Sequence, residues 1–324
     1  MLRSKFRFYL LLIITFPLAA RQVAAQQIAA RQDFKAYRQN IAGTSLAFDM
    51  AAIPGGTFIM GNNNGHADEK PEHPVEVSPF WMSTHEVTWD LFELFVYKDL
   101  ELTQSADKAV SKQVDAVTRP SKPYLDMTFG MGKQGYPALA MTQYNAIQFC
   151  KWLYARTGVF YRLPTEAEWE FAAKTGHPGG NLDDYAWNVS NSQNTTQKVG
   201  TRLPDKNGIY DLLGNAAEWT YDQYSEDFYA SLAGKTAKDP VNVADKLYPH
   251  AVRGGSYQGD LRYLSPTARD YSDPSWKQID PQIPKSNWWL PDAPFVGIRL
   301  VRPLQPPSKE EISLYYDKAP IKDY

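Results

Sequence analysis

The sequence predicts a globular α+β fold, and three observations support this prediction. Of its 324 residues, 43% are hydrophobic and 14% are aromatic, which is enough apolar material for a substantial core. Two strand-like segments lie in the first third of the chain. Three helix-like segments with candidate capping residues come after them. At roughly 150 residues per domain, the length allows either two domains or one large domain.

Charge and cysteine content exclude several classes of protein. The chain has 34 Lys and Arg against 36 Asp and Glu, so its formal charge is -2. This balance provides no positive field for a nucleic-acid partner, and we expect none. The single cysteine excludes an intrachain disulfide, a CxxC redox pair, a zinc-finger cluster and any metal site built from two thiolates.

The N-terminus has the pattern of a secretory signal peptide. Three basic residues in Met1–Arg7 precede an apolar run, Phe8–Ala20, and small residues then lead to a cleavage site after Ala25, with Ala20 as the alternative. An uncleaved membrane anchor is the other interpretation, but a run of about 13 residues is shorter than the roughly 20 that span a bilayer. We therefore expect a signal peptide at residues 1–25 and an exported mature protein, periplasmic or extracellular, without a membrane span.

The elements of the first 140 residues follow from local patterns. Residues 26–48 are predicted to be an N-terminal extension with a short helical lead-in. Ala52–Gly61 is predicted to be a strand containing a Pro-Gly turn, and Val75–Met82 to be a second strand. A helix is expected to begin at Thr88, whose hydroxyl can cap it, and the polar residues 99–136 to form an inserted loop.

Two further helices have stronger signals. Thr142 can cap a helix on which apolar residues recur at helical spacing, and Cys150 lies among them. That position favours a buried structural thiol over a reactive one. Thr165 and Glu168 form the pattern of a capping box that opens a helix ending near Gly176.

Three glutamates near the start of this last helix are candidate general acids: Glu166, Glu168 and Glu170. A carboxylate in the first turn is stabilised by the helix N-terminus, and a capping glutamate is occupied by backbone amides. We therefore interpret the three side chains as structural.

Seven motifs in a fixed order resemble those of the sulfatase-modifying-factor family, the formylglycine-generating-enzyme-like domain. They are Pro54–Gly61, Glu86–Thr88, Phe149–Leu153, Arg162–Glu170, Gly208–Trp219, Arg253–Tyr257 and Gly297–Arg299. The resemblance implies one α+β domain at residues 49–303, with a variant of the C-type-lectin fold, little regular secondary structure and long loops. Residues 304–324 would then be a C-terminal tail.

The family's oxidation reaction can be compared with this chain. Formylglycine-generating enzymes oxidise a cysteine of a sulfatase with copper held by two thiolates that follow the Gly-Gly-Ser motif, and soft sulfur ligands suit Cu(I). Counted from Ser256, the two positions are Gly259 and Leu264, and neither side chain binds a metal. We therefore expect no copper, no catalytic residues of this type and a pseudoenzyme with respect to this reaction.

The resemblance also implies a structural calcium site. The family's ligands carry over to the Asp211 side chain, the carbonyls of Gly214 and Ala216, and the Glu218 side chain. Calcium binds six to eight hard oxygens, which such a loop can supply. The alternative is that Asp211 and Glu218 only cap turns. A second calcium site of some members is not expected, because the loop before Val199 looks shortened.

A substrate groove is the third implication. In the family the Gly-Gly-Ser segment lines this groove, where glycine allows close approach of a ligand backbone. The corresponding residues here are Arg253, Ser256, Tyr257, Gly259, Leu264 and Arg269. The alternative is that the arginines tie loops to the core.

Two functions remain open at this point. The first is a protein that binds a protein or peptide ligand through the former substrate groove. The second is an extracytoplasmic oxidase that uses a non-thiolate metal site, similar to the pyoverdine-maturation members. A cluster of Glu, His or Tyr in the groove would favour the oxidase. His66 and His73, which lie near three acidic residues, are either a metal site or part of a solvated loop.

Overall fold

Three small sheets and six α-helices form the framework of residues 34–104 and 117–321, the part of the chain that the computed structural model describes. The strands are β1 (Tyr37–Asn40), β2 (Ala47–Ile53), β3 (Gly56–Met60), β4 (His73–Val77), β5 (Phe80–Ser83), β6 (Ala217–Gln223), β7 (Ala237–Lys238), β8 (His250–Arg253), β9 (Asp270–Tyr271), β10 (Val296–Gly297) and β11 (Val301–Pro303). The helices are α1 (Trp89–Val96), α2 (Lys98–Gln104), α3 (Gln143–Thr157), α4 (Glu166–Gly176), α5 (Phe228–Leu232) and α6 (Lys309–Tyr316). The α+β class and the sparse regular structure are as predicted.

The N-terminal extension is a strand where a helical lead-in was expected. β1 pairs antiparallel with β2, with Tyr37 opposite Met50, and its residues alternate between half-buried and exposed. The ring of Tyr37 packs edge-on against Trp81, at 5.7 Å between centroids. This alternation has the period of a strand, and cross-strand packing outweighs local helix preference. The predicted signal peptide lies outside the described residues.

The segment predicted as one strand at residues 75–82 is two strands in two sheets. β4 pairs with β3 and β7, whereas β5 lies between β2 and β11 in the sheet β1-β2-β5-β11. The chain changes sheet at Ser78-Pro79, where proline removes a backbone donor. The Pro-Gly turn before β3 is confirmed. Gly55 has φ +68°, and a Cβ there would lie 2.4 Å from the Val77 carbonyl oxygen, so the turn requires glycine.

The third sheet, β10-β6-β8-β9, positions the candidate site. β6 pairs antiparallel with β8, with Glu218 opposite Arg253, and parallel with β10. Helix α4 packs between this sheet and the strands β3 and β4. Trp169 of α4 is fully buried in that core.

Two of the three predicted helix caps are present in the structure, and one helix lies where a loop was predicted. The Thr142 hydroxyl accepts a hydrogen bond from the Asn145 amide at 3.1 Å, as predicted. Both bonds of the Thr165–Glu168 capping box are present, at 3.1 and 2.9 Å. The Thr88 side chain makes no capping bond, although α1 starts there. Helix α2 lies within the segment predicted to be loop.

The C-terminal tail folds back onto the domain. Tyr316 is buried and donates to the Tyr161 carbonyl at 2.6 Å, while the Gln148 side chain donates to the Tyr316 carbonyl at 2.9 Å. The Tyr315 hydroxyl accepts from the Leu163 amide at 3.0 Å. Helix α6 is therefore anchored to α3 and to the strand-like segment before α4. None of the helices within the described residues has the length and hydrophobicity needed to cross a membrane.

Candidate functional site

A buried network of ion pairs joins α4 to β8 and to the segment before β9. Arg253 contacts Glu166 at 3.1 Å and Glu170 at 2.8 Å. Arg269 contacts both oxygens of Glu166, at 3.0 and 2.8 Å. The Tyr229 hydroxyl donates to Glu170 at 3.0 Å. Two glutamates thus face two arginines in the core, which is the arrangement that a buried ion pair needs to be tolerated.

This network shows what the two predicted groove arginines do. Their side chains are completely buried, and both guanidinium groups are held by the glutamates. Burial opposes ionisation of Glu166, but Arg269 and Arg253 outweigh it and hold the pKa of that carboxyl below its usual value. The sequence predicts that Arg253 and Arg269 line the groove, and in the structure their guanidinium groups pair with Glu166 and Glu170 in the core. The carboxyl groups of Glu166 and Glu170 are thus held in ion pairs, and that of Glu168 accepts the capping bond from the Thr165 amide.

The segment that follows the Gly-Gly-Ser motif has no thiolate, and its two charged side chains, Asp260 and Arg262, are exposed and lie 3.7 Å apart. Gly254 has φ +94°, and a Cβ there would lie 2.8 Å from the Leu212 carbonyl oxygen, so glycine lets two loops cross closely. Ser256 and Tyr257 are buried. Gly259 is partly exposed, and a Cβ there would meet only Ser256, at 3.4 Å or more. Cys150 is buried in α3, and burial raises the pKa of its thiol.

Beside Leu264 lies a mostly apolar cavity of about 320 Å³, here named the Leu264 cleft. Its apolar wall is formed by Leu182, Leu203, Leu212, Leu213, Leu264 and Pro266. His177, Asp205 and Asp211 also line it. Leu264 is 6% exposed, so the position of the second thiolate is occupied by a side chain that packs into this wall.

A second buried cluster surrounds the predicted calcium residues. Arg299 contacts Glu218 Oε1 at 2.7 Å, and the Trp169 indole donates to Glu218 Oε2 at 2.9 Å. The Asp211 Oδ2 atom accepts from the Gly200 amide at 2.6 Å. Its Oδ1 atom is buried without a hydrogen-bond partner in the described part of the chain. Burial raises the pKa of Asp211 to about 6.

Glu86 completes this cluster, and sequence reasoning missed its role. Its Oε1 atom accepts from the Asn215 side chain at 2.9 Å, whereas Oε2 is buried without a partner among the described residues. Burial, reinforced by the charge of Asp211, raises the pKa of Glu86 well above its usual value. The Glu86–Thr88 motif could have indicated this residue, but nothing local shows that it meets residues 211–218.

The cluster fits calcium in one respect and differs in another. Asp211 offers a buried carboxylate oxygen that no donor satisfies, which is what a cation would bind. Glu218 is already paired with Arg299, so it is less available as a ligand. Among residues 34–104 and 117–321, no three His, Cys, Asp or Glu side chains are grouped closely enough to hold a metal by themselves. Backbone carbonyls at Gly214 and Ala216 would have to supply the remaining ligands, so the site stays a prediction.

The histidine cluster of the sequence does not form a site. His73 is buried in β4, its Nδ1 atom lies 2.8 Å from the Pro71 carbonyl, and its ring packs edge-on against Tyr229. His66 lies at the start of a short 3-10 helix. The two side chains therefore have separate structural environments.

Comparisons with known proteins agree with the motif order. The family described as "Sulfatase-modifying factor enzyme 1-like domain" (FGE-sulfatase) matches residues 41–302. "Serine/threonine-protein kinase pkn1" of Chlamydia pneumoniae is 29% identical over 260 residues, which are 76% of this chain and 39% of that protein. The "Formylglycine-generating enzyme" of Thermomonospora curvata is 27% identical over 65% of this chain and 83% of its own length.

A solved structure supports the same fold. PvdO from Pseudomonas aeruginosa superposes with a TM-score of 0.59 at 22% identity, covering 83% of this chain and 98% of that one. At this identity the likeness concerns the fold alone. The chain spans about two fifths of the chlamydial kinase, 39% of its length, so the likeness to that protein is a likeness to one part of it.

Proposed function

The chain belongs to the sulfatase-modifying factor enzyme 1-like family, and from this membership we propose that it is an exported recognition protein. It binds an extended peptide or protein segment at the surface around the Leu264 cleft and does not carry out copper-dependent formylglycine generation. Export is inferred from the signal-peptide pattern of residues 1–25. The whole chain has one cysteine, so a two-thiolate copper site cannot be built.

The observation that supports binding most directly is the replacement of the second thiolate position by Leu264. Its side chain belongs to an apolar wall around a cavity of about 320 Å³, a size at the lower end of ligand pockets. Such a cavity suits one apolar side chain of a ligand. Leu261 is half exposed on the same segment and can add contact area at the rim. Gly259 leaves room for a ligand backbone to approach.

The oxidase alternative has less support from the geometry. His177, Asp205 and Asp211 line the same cleft, but they do not form a metal-binding group among the described side chains. The side chains of Gly259 and Leu264 have no atom that can bind a metal. Redox chemistry at this cleft would need a metal or another oxidant that these side chains do not hold.

Calcium is proposed as a structural cofactor of the loop that forms one wall of the cleft. Asp211 lines the cleft and has the unsatisfied oxygen, so it would be the principal side-chain ligand. The carbonyls of Gly214 and Ala216 and the Glu218 carboxylate are the other proposed ligands. The ion would supply positive charge to a cluster of three carboxyl groups that has one arginine.

A peptide-display selection on the purified mature protein tests the recognition function. We expect enrichment of peptides that share an apolar residue, and a loss of binding of at least about tenfold in Gly259→Trp, which blocks the surface, and in Leu264→Gln, which makes the wall polar. Leu314→Gln, on the exposed face of α6, is the matched control and should bind as the wild type does. Unchanged peptide binding by both cleft variants would contradict the proposal. The proposal would also be contradicted if iron or copper co-purified at about one equivalent per chain and was lost in Leu264→Gln.

A further inference from the structure

One arginine next to the Leu264 cleft has no acidic partner. Within residues 34–104 and 117–321, every arginine other than Arg202 and Arg302 pairs with a carboxylate. The Arg202 Nε atom is buried, and it has no hydrogen-bond partner in the same part of the chain. A guanidinium group has five N–H donors, so Arg202 has donors that a ligand can use.

The Arg202 guanidinium is held in place by an aromatic ring. Its central carbon lies 3.7 Å from the centre of the Trp187 ring. Trp187 is fixed in turn, because its indole donates to the Thr201 hydroxyl at 2.9 Å and its carbonyl accepts from the Asn215 amide at 2.8 Å. Stacking covers a face of the guanidinium plane and leaves the donating edges for an anion. A carboxylate can accept two parallel hydrogen bonds from such an edge.

The position of Arg202 connects it with the cleft. Leu203, the next residue, lines the cleft and is 55% exposed. Burial raises the pKa of Asp211, another lining residue, and the charge of Arg202 is among those that oppose the rise. The guanidinium therefore lies close to this wall, and a peptide anchored in the cleft has its neighbouring residues near Arg202.

The two aspartates of the cleft lining are held by the protein itself. Asp205 Oδ1 accepts from the amides of Asn207 and Ile209, at 2.8 and 2.9 Å. Asp211 Oδ2 accepts from the Gly200 amide at 2.6 Å. The other oxygen atom of each carboxyl group is buried. Backbone donors thus offset part of the negative charge, whereas Arg202 keeps its positive charge uncompensated.

We propose that Arg202 binds a carboxylate of the peptide that occupies the Leu264 cleft. The ligand combines an apolar side chain, which enters the cleft, with an acidic side chain or a C-terminal carboxylate a few residues away. This inference rests on the proposed peptide binding and adds the charge that the peptide carries.

The probes are dye-labelled heptapeptide amides with a central leucine between glycine and serine residues. Glutamate or glutamine replaces each flanking residue in turn, and fluorescence anisotropy measures binding to the full mature chain. At one position or more, glutamate should bind at least about tenfold more tightly than glutamine, because a charge-assisted pair is stronger than a neutral hydrogen bond. Peptides that end in a free carboxylate just after the leucine, compared with their amides, distinguish a C-terminal carboxylate from an acidic side chain.

Two substitutions test the role of the guanidinium. Arg202→Met keeps an apolar stem on Trp187 and removes the charge, so it should abolish the preference for the carboxylate and leave binding of the uncharged leucine peptide unchanged. Arg302→Met is the matched control and should keep the preference, because Arg302 also stacks on an aromatic ring, 4.5 Å from the centre of Trp81, but belongs to β11. In the wild type, raising the salt concentration from about 0.05 to about 0.5 M should reduce the preference, since salt screens exposed charges.

The inference and the proposed function fail in different ways. If the leucine peptide binds the wild type and not Leu264→Gln, but no carboxylate improves binding, the inference is overturned and the cleft remains a peptide site. A preference that persists in Arg202→Met has the same meaning. If Arg202→Met lacks a cooperative melting transition, a preference that salt does not reduce in the wild type overturns the inference. If no leucine peptide binds, or all bind Leu264→Gln as tightly as the wild type, both are overturned.

Discussion

Two buried charge clusters lie on either side of β6, and they differ in balance. In the first, Glu166 and Glu170 face Arg253 and Arg269, and both glutamates are paired with guanidinium groups. In the second, Arg299 is the arginine that pairs with Glu218, and one carboxylate oxygen each of Glu86 and Asp211 has no hydrogen-bond partner in the described part of the chain. The balanced cluster fixes loops to α4. The unbalanced cluster has the unsatisfied oxygen atoms that a cation needs, and one of its members, Asp211, lines the cleft.

The largest expected effect comes from breaking the balanced cluster. Arg253→Met removes one guanidinium partner from both buried glutamates, although Lys174 still pairs with Glu170 at 3.0 Å and Arg269 with Glu166 at 2.8 Å. Because part of the compensation remains, the loss should be about 3 kcal/mol in the free energy of unfolding, the lower end of the cost of breaking a buried ion pair. Urea denaturation measures this loss. Arg262→Met is the matched control, because its pair with Asp260 is exposed and long, at 3.7 Å, and should produce no measurable change. A loss below about 1 kcal/mol for Arg253→Met would show that the network adds little to stability.

The unbalanced cluster should respond to calcium, and the balanced cluster should not. If calcium binds only the folded state, a concentration 100 times its dissociation constant adds about 2.7 kcal/mol. Melting curves with calcium and with a chelator measure this gain, and Asp211→Asn should remove most of it. Asp49→Asn, at a surface ion pair with Arg38, is the control and should keep the full response.

Glu218→Ala is a poorer test of calcium binding. It also leaves the Arg299 guanidinium buried without its carboxylate, so it lowers stability with or without the ion. Identical melting curves for the wild type in calcium and in chelator would reduce the proposed site to a turn.

Without calcium, the pH dependence of stability should reveal the cost of the unpaired oxygen. Burial raises the pKa of Asp211 to about 6, above its unfolded value near 3.8, so the folded state binds more protons between these values. The stabilisation is fully present below pH 4 and is lost as pH rises through about 6, a fall of about 3 kcal/mol. Asp222, beside the balanced cluster, has a pKa raised to about 7 by burial and by Glu166. It contributes a larger fall, about 4 kcal/mol, that continues to about pH 7.

The comparison of variants separates the two aspartates. Stability is measured by denaturation at pH 4 to 8 in chelator. Asp211→Asn should make the fall between about pH 4 and 6 less steep and leave the fall due to Asp222, which continues to about pH 7. Calcium should flatten the same part in the wild type, because a bound cation favours the ionised carboxylate. A wild-type curve that rises between pH 4 and 7 would contradict the assignment.

The sequence predicts features that depend on neighbouring residues better than contacts between residues far apart in the chain. The capping box at Thr165, the turn at Gly55 and the buried Cys150 depend on neighbours within a few residues, and the structure confirms them. The ion pairs do not follow from such rules, because Glu166 and Arg269 are 103 positions apart. Fold and family come from motif order, whereas the shape of the Leu264 cleft depends on how four loops pack.

The errors have the same physical origin. The segment before Ala47 has weak local preference, and its strand structure depends on pairing with β2 and packing on Trp81. The predicted strand at 75–82 has strand-forming residues at both ends, but Pro79 between them interrupts the hydrogen bonding, and each half pairs in a different sheet. Only Tyr315 and Tyr316 of helix α6 are buried, and Leu314 is exposed, so the sequence pattern of this helix does not show which face docks.

The smallest expected effect concerns the cap that holds the balanced cluster in place. The Thr165 hydroxyl accepts a hydrogen bond from the Glu168 amide. The amide of Glu166, the residue that follows Thr165, donates to the Asp222 carboxylate at 2.9 Å. Thr165→Ala removes the cap and should cost about 1 kcal/mol in the free energy of unfolding, whereas Thr165→Ser should restore most of it. Thr88→Ala is the control, because the Thr88 hydroxyl makes no capping bond at the start of α1. Denaturation of the three variants measures the difference, and an equal loss in Thr88→Ala and Thr165→Ala would show that the lost methyl group, and not the cap, sets the cost.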